Sequence, residues 1–414
     1  MPRVLPTAQV ERIVPFLGAA GVGLRMAFGP GVPLGLVVAI VLIPLWLGAV
    51  RQYRVVTWWM LLGVLAVASG ALLTFLDTYH PRNNTLLLSE TFTMLALIGA
   101  VGVLLWARTL IGTGSTALAF SLGMLSSAVL GEGGTDNEWK YTWSVPVFFV
   151  VLSAGMLYKS RLLDLCLIAL LALTTIITDS RSVTSFLLLA AALMVWQLRP
   201  AAARARTRTW QSLLGLGLAA VGAFYAFQSL ILEGVFGEAA QQRSQAQIDT
   251  SGSLIAGGRP EIGAAVALIL ARPLGYGSGL IPTAEDVWVA KQGMSQLNYD
   301  PNNGYVEVFM FGGQFEVHGV LADLWIRFGV AGALFGVLSA VFVVYGLARL
   351  IAHRQASALI VFVSLFTLWN IFFSPLLGSY RMLALAVAMV AIPLLRSSPP
   401  GHVPAFEPAV RRRA

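Results

Sequence analysis

Apolar runs of about 17–25 residues recur along almost the whole 414-residue chain, and each is long enough to cross a bilayer's hydrocarbon core. A backbone in lipid must satisfy its own hydrogen bonds, so such runs fold as helices. Charged residues make up only 11% of the chain, against roughly 25% in a soluble domain. A β-barrel would show short alternating segments instead. The expected fold is therefore an all-α polytopic membrane protein.

Taken in order, the runs predict about twelve spans. They lie near residues 13–29, 32–50, 57–76, 86–107, 115–130, 143–158, 162–178, 183–198, 210–232, 318–347, 356–376 and 380–395. The first run lacks a small-residue cleavage site and reads as a span, not a leader. Arg199, Arg204, Arg206 and Arg208 fill one loop without an acid, which assigns it to the cytoplasm. Counting from that loop puts both termini inside, in a plasma (inner) membrane. The net charge of +8 is then a matter of topology and does not call for nucleic acid.

This reading divides the chain into four parts. Residues 1–232 form a bundle of about nine spans, and residues 318–396 supply three more. A basic cytoplasmic tail covers 397–414. Between the membrane parts, residues 233–317 form the one long polar interval, expected to be an extracytoplasmic segment with short helices. It holds nine acids and four bases, the opposite bias to the inner loops.

Chemistry is expected on this outer face. Arg181 stands in a Ser-Arg-Ser turn between two spans, where arginine is disfavoured unless something anionic holds it. Gly257-Gly258-Arg259-Pro260 precedes a short apolar helix expected from Glu261 to Ala271. There a phosphate can meet both a guanidinium fork and a helix N-terminus. His318 sits where the polar segment enters the tenth run, and imidazole can take a proton from a hydroxyl near neutrality. Helical spacing from His318 would put Leu321, Ala322 and Trp325 on its face, and Asp323 and Arg327, four apart, would pair with each other. Tyr276, Trp288 and Tyr305 are candidate sugar-stacking aromatics, with Gly258 beside the arginine. The four histidines are scattered, the single cysteine is Cys166, and no Asp-x-Asp pair occurs. No metal and no other cofactor is expected.

Three pieces, in this order, resemble the O-antigen ligase family. The first is Thr178-Asp179-Ser180-Arg181-Ser182. The second is Gly258-Arg259 followed by Arg272-Pro273-Leu274-Gly275-Tyr276-Gly277. The third is His318 followed by Leu321 and Phe328-Gly329-Val330-Ala331-Gly332. Members often carry Asn after the histidine; here the residue is Gly319. The resemblance implies transfer of a glycan from a polyprenyl diphosphate carrier to an acceptor hydroxyl on a glycan, glycolipid or protein. It implies His318 as general base, Arg181 and Arg259 on the diphosphate, and no metal. A polysaccharide polymerase of the same family remains open, as does a secondary transporter, although no internal repeat is evident.

Overall fold

The computed structural model describes residues 7–29, 31–131, 137–178, 180–198, 209–234, 237–251 and 257–393. Asp179, the arginine-rich loop at 199–208 and the tail at 397–414 lie outside the described residues. Among the described residues the fold is mostly helical, with one two-residue ribbon, Ala27–Phe28 paired with Val32–Pro33. The helices are α1 (Thr7–Gly23), α2 (Leu34–Val41), α3 (Ile43–Val50), α4 (Arg54–Leu76), α5 (Asn84–Leu130), α6 (Ser144–Tyr158), α7 (Arg161–Ile177), α8 (Arg181–Trp196) and α9 (Thr209–Leu232). Beyond them come α10 (Glu238–Ser251), α11 (Glu261–Ala271), α12 (Ala284–Ser295), α13 (Val320–Ala352), α14 (Ala358–Phe373) and α15 (Leu376–Val390). Among the described residues, four helical stretches are long and apolar enough to cross a membrane: Arg54–Leu76, Asn84–Leu130, Trp139–Tyr158 and Val320–Ala352. That composition is the one expected of an all-α membrane protein.

Two of these long helices are hairpins. In α5, Gly112 takes φ 80° and ψ 163°, outside helical values and readily open only to glycine. The half before Gly112 follows α2 and α3, with Gly99 against Ala39 and Gly102 against Trp46. The half after it follows α1, with Gly123 against Ala20 and the backbone N–H of Arg25 bonded to Ser127. Because α1 and α2 are themselves antiparallel, through Gly18 on Leu42 and Gly21 on Val38, the chain turns back at Gly112. The two runs at 86–107 and 115–130 are thus separate arms.

The second hairpin corrects the reading of a single tenth helix. Gly329 adopts φ 67° and ψ −155° within α13. In a straight helix Leu324 and Gly332 would stand about 12 Å apart. Here Gly332 touches the Leu324 carbonyl, and Gly336 touches the Leu321 side chain. The nine residues Val320–Phe328 therefore fold back along the arm that follows. That arm packs on α4, where Trp59 lies 4.7 Å from Phe335, centroid to centroid, and donates its indole N–H to Ser339 at 2.8 Å.

The segment after α10 has its own apolar core. Leu268, Tyr276, Leu280, Met294, Phe311 and Phe315 are buried together, with Ile326 of α13 closing the cluster. A polar clamp ties this subdomain to the 77–84 turn. The His80 ring lies between carboxylates, Nδ1 3.1 Å from Asp77 and Nε2 3.0 Å from Asp286, while Arg272 reaches Asp77 at 2.8 Å. The backbone N–H of Asn83 bonds to Gly279 and that of Ile281 to Pro81. A capping box between Thr283 and Asp286 starts α12 and holds Asp286 in place.

Candidate functional site

His318 precedes the short arm of α13 and is not part of it. Its φ of 53° is left-handed, uncommon for a residue with a side chain. It therefore shares no helical face with Leu321, Ala322 and Trp325, contrary to the spacing argument. The Nδ1 atom is buried without a hydrogen-bond partner, and Nε2 lies 3.8 Å from Glu316 Oε1. Burial pushes the Glu316 carboxyl up, and Asp323 and Glu90 add to that, while Arg327 and His318 pull it down. Gln314 holds its other oxygen at 2.6 Å.

The short arm of α13 also carries a charged group whose partner differs from the one expected. Arg327 is buried and bonds to Glu90 of α5 at 2.7 Å and to the Phe315 carbonyl at 2.7 Å. Asp323, expected to be its partner, is farther away at 3.9 Å. Asp323 instead accepts from the backbone N–H groups of Val317 and Leu376, fixing the entry to α13 and the start of α15. Glu90 and Arg327 are 237 residues apart, so no local pattern links them.

Tyr305 packs against the imidazole, ring centroids 5.4 Å apart. Its hydroxyl donates to Glu261 at 2.5 Å. Burial, and next the Glu261 carboxylate, push the phenol up, while Arg259 pulls it down, so Tyr305 remains a neutral donor. Glu261 opens α11, whose bounds match those read from its flanking prolines and glycines. Its second oxygen is buried without a partner.

Arg259 lies 5.8 Å from the Trp369 ring, a cation–π distance. Trp369 touches Phe186, little more than one turn beyond Arg181 on α8, at 5.5 Å. Arg181 is the first residue of α8 and donates to Ser244 of α10 at 2.7 Å. Gly258 lies against Gln247, three residues after Ser244 and so on the same face of α10. One face of α10 thus receives both arginine-bearing turns, while Tyr305 packs on the histidine and lies within the field of Arg259. Of the other aromatics, Tyr276 is buried between His80 and Phe315, at 5.6 and 4.5 Å, and Trp288 is exposed on α12.

No protein-family model, curated protein or solved structure matches this chain.

The geometry sets out a workable chemistry. A histidine with one free nitrogen and a carboxylate near the other can accept a proton, with the carboxylate balancing the imidazolium formed. Guanidinium groups such as those of Arg181 and Arg259 can hold an anionic leaving group. The sequence assigns no role at this site to Glu90, Glu261, Glu316 or the arginine-binding Trp369. Glu316, two residues before His318, was the one with a local signal.

Proposed function

We propose that the chain is a twelve-span membrane glycosyltransferase of the O-antigen ligase type. It acts on the outer face of the plasma membrane, with both termini inside, and takes its glycan from a polyprenyl diphosphate. The acceptor hydroxyl attacks the anomeric carbon as the bond to the diphosphate oxygen breaks, with inversion. The hydroxyl proton goes to His318, and the leaving diphosphate keeps the electron pair. Arg259 and Arg181 bind its oxygens and balance the charge that develops. Glu316 offsets the charge on the imidazolium. The observation that carries this reading is the His318 imidazole: left-handed backbone, buried unpartnered Nδ1, Glu316 at 3.8 Å and the Tyr305 ring at 5.4 Å.

The test is the carrier-linked glycan profile of a deletion strain, complemented with wild type, His318→Ala or Arg259→Ala. Full-length chains left on the carrier in the deletion and in both variants are the expected result and identify a ligase. Single repeat units would identify a polymerase of the same family. An unchanged profile, or full rescue by both variants at normal protein levels, would overturn the proposal.

A further inference from the structure

Far from His318 in the fold, the turn at Gly112, the α6–α7 turn and the α13–α14 turn meet around a cavity of about 500 Å³. That size suits a small-molecule headgroup. Its lining combines Lys159, Arg161, Asp164, Ser357 and the Gly112 backbone with the apolar Leu157. Lys159 is exposed in a left-handed turn that ends α6. Arg161 spends its guanidinium on the carbonyls of Ala356 and Arg354. Asp164 is 4% exposed. One of its oxygens accepts from the Ala358 N–H at 3.2 Å, capping α14, while the other is buried with no partner.

A buried carboxylate oxygen without a donor is costly, and the remedy is a ligand that brings one. A free anion would suit Lys159 but would face that oxygen directly. A hard cation needs several oxygen ligands and would meet two basic residues. A group carrying a phosphate and an ammonium a few bonds apart satisfies both ends. Leu157 is 44% exposed beside the cavity, an apolar wall for an acyl chain.

We propose that this cavity binds the headgroup of a phospholipid with a primary amine. The phosphodiester pairs with Lys159 and the ammonium donates to Asp164 Oδ1. This site is separate from the transfer chemistry and stands or falls without it. The experiment is native mass spectrometry of the full chain released from bilayers of equimolar phosphatidylethanolamine and phosphatidylglycerol with matched acyl chains. The expected result is preferential retention of phosphatidylethanolamine, reduced about tenfold in Asp164→Asn and in Lys159→Asn. Asparagine at 164 keeps the acceptor for Ala358, and asparagine at 159 tolerates the left-handed backbone. Soluble phosphorylethanolamine should displace the lipid if the headgroup is what binds. Equal or greater retention of phosphatidylglycerol by the parent protein would overturn the proposal, as would full retention of phosphatidylethanolamine in Asp164→Asn.

Discussion

Two histidines, His80 and His318, sit among carboxylates in the segments that join the helices, yet their surroundings are opposite. His80 has a carboxylate at each nitrogen, an arginine on the same acid and edge contact with Tyr276. Every polar atom of the ring is occupied, and the group fastens one subdomain to the bundle. His318 has a strained backbone, one empty nitrogen and a carboxylate at a longer distance. A satisfied histidine holds structure; an unsatisfied one is available for a proton. The scattered sequence positions of the two carry no hint of that difference.

The comparison breaks if the two respond alike to mutation. His318→Ala should lower transfer by about 10²–10⁴-fold, the range of a lost general base, with thermal stability close to that of the parent. His80→Ala should do the reverse. It leaves Asp77 and Asp286 buried without their common partner and should cost about 3–5 kcal/mol of stability, read as a lower melting temperature in detergent. Activity per folded molecule should survive. A His80→Ala protein as stable as its parent would remove the clamp from the account.

Much of this architecture was legible from residues alone. The apolar runs fall on helices, Arg181 does begin one, and α11 runs between its flanking Arg259-Pro260 and Arg272-Pro273 pairs. The reversal at Gly329 was not legible, because the apolar pattern continues straight through it. A glycine in such a run reads equally well as a notch for a neighbouring helix. The ion pair of Glu90 and Arg327 was hidden by distance along the chain, and Asp323 offered a nearer but weaker partner. Glu261 and Glu316 were passed over because acids in a polar segment normally face solvent. Only the fold shows one against Tyr305 and the other against His318.

A finer probe uses pH. The desolvation of Asp77 works against its charge, but hydrogen bonds from His80, Arg272 and Tyr79 outweigh it and hold its carboxyl well below the ordinary 3.8. Its stabilising contribution is therefore complete above that value and is lost as the pH falls toward the depressed one. Glu316, raised above 4.5 mainly by burial, behaves oppositely. Its contribution is present below 4.5 and is lost as the pH rises through the raised value. At neutral pH, Asp77→Asn should be less stable than the parent and Glu316→Gln more stable. Both differences should close in acid. Thermal melts of the two variants between about pH 2 and about pH 8 would show it, the Glu316 difference closing as the pH falls toward 4.5 and the Asp77 difference only below 3.8. Parallel curves for the two would mean the sites are electrostatically equivalent.

The fold-back at Gly329 also bears on how the protein is made. Its turn is enclosed by Ser69 and Leu73 of α4 and by the Leu274 carbonyl. The arm it creates is pinned through Asp323 to the first N–H of α15, the last helix described. During synthesis, Val320–Ala352 leaves the ribosome as one largely apolar stretch that carries Asp323 and Arg327 near its start. It reaches its bent form only after earlier helices are in place and later ones have arrived. Assembly of the His318 centre is thereby deferred to the end of biogenesis, so a nascent or truncated chain would occupy the membrane without a competent centre.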